Sequence, residues 1–301
     1  MNEQQEQIIN FLAAFATRPT RSPVLKTPKD HGMDYEDLFF PSSDGVPLEA
    51  WYIPAKEQSD KLIIVNHPMP MNRYGFPGHK EPWSQVDNVE INFIRELKHL
   101  HNAGYNLLAY DLRNHGNSGT ANGGVTGVGR YEWRDCVGAK QFVDAHPQLG
   151  KMQVALLSRC MGANSQYEAI HRHPELFENV VSMMSPLPVS MTALMTRMAT
   201  LQGVEQYLEE LDEAQKLLGG LTNAEMGPHP FAPSVKMPVL FVQVKDDPWT
   251  TNEDGEKTFE LLGSKEKEFF WIETTTRRFE GYNYFGENPD VMLNFFSKHF
   301  K

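Results

Sequence analysis

The chain has 301 residues, of which 40% are hydrophobic and 22% are charged, and its formal net charge at pH 7 is −11. These proportions are typical of a soluble globular protein, and the length is sufficient for one large α/β domain or two smaller ones. Lys and Arg form no cluster, which argues against a nucleic-acid partner. No apolar run approaches the ~18 residues that a membrane-spanning helix needs, so we expect no membrane partner.

The periodicity of apolar residues predicts strands that alternate with helices along most of the chain. The predicted strands lie at 38–40, 48–53, 62–65, 106–110, 154–157, 180–184, 238–244 and 268–272. The predicted helices lie at 8–16, 89–102, 131–145, 164–171, 257–262 and 290–299. This alternation is typical of one mostly parallel sheet that helices cover on both faces.

Three regions follow from this pattern. The pattern predicts an N-terminal helix and a surface arm in residues 1–36. It predicts the α/β core in residues 37–186 and 234–301. Between 187 and 233 the alternation gives way to helical segments without a strand, which predicts a helical lid.

Only two cysteines are present, Cys136 and Cys160, which are too few for a disulfide framework in a chain of this length. We interpret both as reduced, which favours a cytoplasmic location. No clustered His and Cys spacing and no phosphate-binding glycine loop is found, so we expect neither a metal nor a cofactor.

Cys160 stands between a predicted strand and a predicted helix. Ser158 lies two residues before it and Gly162 two residues after it. This is the layout of a nucleophile elbow, usually Gly-x-Ser-x-Gly, in which the turn is so tight that these flanking side chains must be small. The spacing therefore predicts that Cys160 projects from the sheet beside a helix N-terminus, where a cysteine attacks as its thiolate.

Four landmarks in this order resemble the α/β-hydrolase superfamily. They are Asn66-His67-Pro68, the Asp111–Ser118 loop of the form D-x-R-x-H-G-x-S, the Cys160 elbow, and the turn around Asp247. The resemblance implies an α/β-hydrolase fold with a lid, Cys160 as the nucleophile and Asp247 as the acid. It also implies that the backbone N–H groups of Met69 and Met161 form the oxyanion hole, since Pro68 has no N–H.

The chain departs from the family's pattern in two ways. Cysteine replaces serine, as in the dienelactone hydrolases, and no histidine follows the last strand, where Arg277 most nearly takes its place. The whole resembles an uncharacterised bacterial branch with an S-R-C-x-G-A elbow and an R-R-F-x-G-Y ending. We expect His67, Arg159 and Arg278 to contribute to substrate binding.

An arginine neither protonates a leaving group nor activates water, because it does not deprotonate near neutral pH. This favours activated esters, lactones or thioesters, with hydrolysis or acyl transfer through a Cys160 acyl-enzyme. The expected partner is therefore a small acyl or carboxylate substrate, and the oligomeric state stays open. Two alternatives remain: a non-catalytic protein that binds a small carboxylate or a protein partner, and a non-hydrolytic lyase or isomerase on the same fold.

Overall fold

A computed structural model describes all residues from Met1 to Lys301. Eight strands form the main sheet and two short ones form a separate hairpin. The strands are β1 Glu36–Pro41, β2 Pro47–Ile53, β3 Lys61–Val65, β4 Gly75–Pro77, β5 Glu90–Asn92, β6 Asn106–Tyr110, β7 Gln153–Leu157, β8 Val180–Pro186, β9 Val239–Val244 and β10 Lys267–Ile272.

The order of strands in the main sheet is β1-β2-β6-β3-β7-β8-β9-β10. The six strands from β6 to β10 in this order are parallel, and β2 runs antiparallel to β6. Strands β6 and β9 are buried at every position, as expected for continuous apolar runs covered on both faces. The carboxyl ends of β3, β7 and β9 therefore lie along one edge of the sheet, where ligand sites of open α/β sheets form.

Ten α-helices complete the fold. They are α1 Glu3–Thr17, α2 Phe93–Asn102, α3 Trp133–Ala145, α4 Met161–Arg172, α5 Met191–Leu201, α6 Leu208–Leu217, α7 Asn252–Leu261, α8 Arg278–Gly281, α9 Tyr284–Glu287 and α10 Asp290–His299. Helices α5 and α6 occupy the segment between β8 and β9, and no strand interrupts them. Helix α1 packs on α6 and also contacts α5. No helix combines the length and the apolarity that crossing a membrane requires.

The predicted helix over 89–102 is wrong at its start. Residues Glu90–Asn92 form strand β5, which pairs antiparallel with Gly75–Pro77. The Asn92 side chain then accepts a hydrogen bond from the Ile94 N–H, and α2 starts at Phe93, four residues later than the periodicity indicated. The backbone pairing with a distant strand is not encoded in the local apolar pattern.

Candidate active site

Cys160 occupies the tight turn between β7 and α4. Strand β7 ends at Leu157 and helix α4 begins at Met161. The Cys160 backbone has φ 49° and ψ −116°, a conformation that L-residues rarely adopt and that costs on the order of 1–3 kcal/mol. Its N–H donates to the Pro186 carbonyl at 2.9 Å, at the end of the neighbouring strand β8, which holds the strained turn in place. The residue is 7% exposed, so the thiol lies at a buried helix N-terminus.

The elbow can form only because residue 162 is glycine. An added Cβ there would lie 2.2 Å from Asn66 Oδ1 and 2.9 Å from the His67 carbonyl oxygen. The Asn66 amide also donates to the Gly162 carbonyl at 3.4 Å. The start of α4 thus packs closely against the Asn66 side chain and the His67 backbone, as the small-residue spacing of the elbow predicts.

Two backbone N–H groups next to this contact have no acceptor within the protein. They belong to Met161, the first residue of α4, and to Met69, in the loop after β3. The first N–H groups of a helix have no intrahelical partner, and they are the donors that commonly bind an anion. Met69 and Met161 are thus the candidate oxyanion donors of the site.

Asp247 follows β9 and is held by three donors. It accepts hydrogen bonds from the Trp249 N–H at 3.0 Å, the Thr250 hydroxyl at 3.1 Å and Arg278 Nη1 at 2.9 Å. The Asp247 and Arg278 side chains are 2% and 4% exposed, so they form a buried ion pair. A second guanidinium nitrogen of Arg278 donates to the Leu187 carbonyl, which fixes the orientation of the cation.

Arg278, and not Arg277, lies in the site. Burial by itself lowers the pKa of Arg278, but Tyr282, Cys160 and Asp247 together raise that pKa well above its ordinary value. These neighbours place a permanent cation next to the Cys160 thiol.

The prediction that Arg277 takes the histidine's place is wrong. Its side chain is 43% exposed and forms ion pairs with Asp87 and Glu280. Arg277 is the N-cap residue of α8, one position before the helix begins, so its side chain points to the surface while that of Arg278 points inward.

The sequence analysis also missed Tyr282. Burial, the largest cause, raises the pKa of its phenol well above the ordinary value; Cys160 acts in the same direction and Arg278 opposes it. The Arg278 guanidinium lies 5.7 Å from the centre of the Tyr282 ring. The two residues are four positions apart in the chain, the spacing at which helical side chains share a face. That spacing was visible in the R-R-F-x-G-Y ending.

Arg159 does not face the substrate side of the site, contrary to our expectation. Its guanidinium donates to the Asn66 carbonyl at 3.1 Å, forms an ion pair with the buried Glu96, and lies 4.3 Å from the centre of the Phe93 ring. Arg159 therefore stabilises the elbow, because it connects the residues after β7 to the loop that carries Met69.

His67 is also a structural residue and not a substrate ligand. Its Nε2 accepts from the Leu112 N–H at 2.9 Å, and its Nδ1 lies 2.9 Å from the Pro68 carbonyl. Both ring nitrogens are thus used by backbone groups, with the proton on Nδ1. Burial, followed by the neighbouring His115, holds the pKa of His67 well below its usual range. A neutral ring in this position offers no free nitrogen to serve as a base for Cys160.

Comparison with known proteins identifies the fold. A family model described as alpha/beta hydrolase fold matches residues 73–217. The Pyrococcus furiosus esterase Pf2001 superposes with a TM-score of 0.70 at 18% identity, over 95% of this chain and 99% of that one. The protein has the α/β-hydrolase fold. This confirms the predicted fold class, including the mostly parallel sheet covered by helices.

Two further relatives of this α/β-hydrolase-fold protein are similarly distant. An esterase from Exiguobacterium antarcticum has a TM-score of 0.53 at 16% identity, over 87% of this chain and 98% of that one. The uncharacterized protein YqkD of Bacillus subtilis strain 168 is 22% identical over 267 residues, which cover 84% of this chain and 79% of the relative. At these identities the likeness is one of fold.

Proposed function

We propose that this protein is a hydrolase-type enzyme in which Cys160 attacks activated esters, lactones or thioesters and becomes transiently acylated. The observation that carries the proposal is the strained elbow itself, which holds a cysteine at the start of α4 beside the buried Arg278 cation. Strain of this kind is concentrated at functional sites. The esterase activity of structural relatives supports the same class of reaction.

In the proposed mechanism Cys160 Sγ attacks the acyl carbon as the thiolate, and Arg278 stabilises that thiolate. The carbonyl oxygen becomes an oxyanion, to which the Met69 and Met161 N–H groups donate. Collapse of the tetrahedral intermediate expels the leaving group and leaves a Cys160 thioester. Attack by water or by a second nucleophile then releases the acyl group.

The groups around Cys160 restrict the leaving group. Arg278 remains protonated, the raised pKa of Tyr282 keeps its phenol protonated, and neither nitrogen of His67 is available. A leaving group that departs as a stable anion, such as a thiolate or an enolate, needs no proton from the enzyme. Thioesters and activated esters or lactones are therefore better substrates than alkyl esters or amides.

The alternative of a non-catalytic carboxylate-binding protein is less well supported. It depended on Arg277 and Arg278, but Arg277 is paired with surface carboxylates, and Arg278 is engaged by Asp247 and the Leu187 carbonyl. No comparable observation favours a lyase or isomerase.

Mass spectrometry of the intact protein tests the proposal. Wild type and Cys160→Ala are incubated with acetyl and hexanoyl thioesters, and Cys136→Ala serves as the matched control. Burial raises the pKa of Cys136 to about 12, so that thiol is expected to stay inert. We expect an acyl adduct on the wild type and Cys136→Ala, and none on Cys160→Ala. Absence of any adduct, together with failure of iodoacetamide to label Cys160, would overturn covalent catalysis.

A further inference from the structure

A buried polar contact joins the N-terminal arm to the loop that carries Met69. Ser22 lies in the arm, just after α1 has ended, and is 1% exposed. Its hydroxyl donates to the Pro70 carbonyl at 3.0 Å. Asn72 is fully buried, and its amide donates to the Ser22 carbonyl at 3.0 Å and to the Ser22 hydroxyl at 3.1 Å. A satisfied polar cluster of this kind fixes the geometry of the groups that it joins.

The arm is anchored on both sides of Ser22. On one side, Arg21 Nη1 donates to the Ser118 carbonyl at 2.8 Å. On the other side, the Asn72 amide donates to the Pro23 carbonyl at 3.0 Å. These bonds do not involve the Ser22 hydroxyl, so the arm should stay in place when that hydroxyl is removed.

Two hydrogen bonds and two peptide planes connect the Ser22 hydroxyl to the Met69 N–H. The Pro70 carbonyl, which accepts from Ser22, shares a trans peptide plane with the Met71 N–H. The Met71 N–H donates to the Pro68 carbonyl at 3.0 Å, and that carbonyl shares a trans peptide plane with the Met69 N–H. The C=O and N–H groups of a trans peptide point in opposite directions within one plane. A bond to each carbonyl therefore sets the direction of the N–H on its far side.

His67 contributes to the same peptide plane. Its Nδ1–H donates to the Pro68 carbonyl at 2.9 Å, so both lone pairs of this carbonyl oxygen are used. Hydrogen bonds in a chain also polarise one another, by about 10–30% per bond. The Met69 N–H, which has no acceptor within the protein, is thus both directed and strengthened as a donor by the bonds behind it.

We propose that Ser22 is a positioning residue, which orients the Met69 N–H toward the oxyanion through these two peptide planes and makes the N-terminal arm part of the active site. The inference rests on the proposed acyl chemistry of Cys160. Ser22 acts through the loop and not on the reacting atoms, so its hydroxyl matters only for a reaction that forms an oxyanion. A serine that merely satisfied the buried Pro70 carbonyl would affect stability without favouring one reaction of Cys160 over another.

Two reactions of Cys160 distinguish these roles. Acylation by a hexanoyl thioester forms an oxyanion, whereas alkylation by iodoacetamide displaces iodide from a saturated carbon and forms none. Both rates are measured by mass spectrometry for the wild type, Ser22→Ala and Ser42→Ala, each carrying Cys136→Ala. Ser42 is the matched control, because it is 3% exposed and its hydroxyl donates to Asp44 at 2.6 Å, in the turn between β1 and β2.

We expect the ratio of the acylation rate to the alkylation rate to fall about three- to ten-fold in Ser22→Ala, the range that corresponds to one neutral hydrogen bond. The ratio should stay at the wild-type value in Ser42→Ala. An unchanged ratio in Ser22→Ala would overturn the inference, as would an equal fall in both variants.

Hydrogen exchange keeps this inference separate from the proposed function. The Met71 N–H is protected by its bond to the Pro68 carbonyl, so Ser22→Ala should speed its exchange by a similar factor and Ser42→Ala should not. Deuterium uptake of the peptides that cover residues 66–75 measures this. If the wild type forms no acyl adduct while the exchange still depends on Ser22, the proposed chemistry alone is refuted. If the exchange is the same with and without the Ser22 hydroxyl, the positioning role is refuted whatever the acylation result.

Discussion

The buried pair of Asp247 and Arg278 allows the role of the arginine in folding to be separated from its proposed role at Cys160. Their closest atoms are 2.9 Å apart, and the side chains are 2% and 4% exposed. At an effective dielectric constant of 20, two unit charges at this distance attract by about 6 kcal/mol. Asp247 keeps the Trp249 N–H and the Thr250 hydroxyl when Arg278 is removed, which offsets part of the loss. We therefore expect Arg278→Met to lower the free energy of unfolding by about 3–5 kcal/mol.

Asp247→Asn should lower the free energy of unfolding by a similar amount, because it leaves the arginine charge buried without its carboxylate. The double variant Asp247→Asn/Arg278→Met removes both charges. Its loss of stability should be well below the sum of the single losses, since the two residues are in direct contact. Urea unfolding of the four proteins measures this coupling.

The acylation rates of the same four proteins should follow a different order. Asp247→Asn retains the cation beside Cys160 and should lose less than about ten-fold in rate, whereas Arg278→Met should lose about 100-fold, comparable to removing one electrostatic donor from an active site. The double variant should lose less stability than the sum of the two single variants, but its acylation rate should stay as low as that of Arg278→Met. If its acylation rate recovered together with its stability, Arg278 would be a purely structural residue and the reasoning would be refuted.

Three further predictions concern the elbow and its surroundings. Cys160→Ser should reduce acylation by about 10²–10⁴-fold, measured by adduct formation, because a serine hydroxyl needs a general base and neither Arg278 nor His67 provides one. Gly162→Ala should both lower the midpoint temperature of thermal unfolding and abolish acylation, because the added Cβ meets Asn66 Oδ1 at 2.2 Å. An unchanged midpoint temperature would contradict the packing described. Burial lowers the pKa of His67 in the folded state. Its contribution to the free energy of unfolding is therefore fully present above the unfolded-state pKa of about 6.5. This contribution is lost as the pH falls below that value, by up to about 1.4 kcal/mol per pH unit. Urea titrations of wild type and His67→Gln between pH 7.5 and 5.5 should show a smaller slope for the variant.

The fold was predictable from the sequence because its apolar runs are long and regular. Strands such as β6 and β9 are buried at every position, and the small residues at 158 and 162 specify the elbow between β7 and α4. These features are local, so they can be recognised in a single sequence.

The details of the site were less predictable because they depend on which way adjacent side chains point. Arg277 and Arg278 are equivalent in the sequence, and only the start of α8 at Arg278 decides which one turns inward to Asp247. Arg159 likewise stands inside the elbow motif, but its direction is set by Glu96, 63 positions earlier in the chain. Contacts between distant segments of this kind leave no periodic signal.

The proposed mechanism also predicts the fate of the acyl-enzyme. Arg278 is held as a cation by Asp247 and the Leu187 carbonyl, so it accepts no proton from an attacking water. A small thiol needs no such help, because a few per cent of it is already thiolate at neutral pH. The Cys160 acyl adduct should therefore persist in buffer and be discharged at least ten-fold faster by millimolar thiol, with Cys136→Ala behaving like the wild type. Mass spectrometry of the adduct over time measures both rates. Rapid hydrolysis at pH 7 without thiol would mean that a base other than those facing Cys160 in this structure activates water.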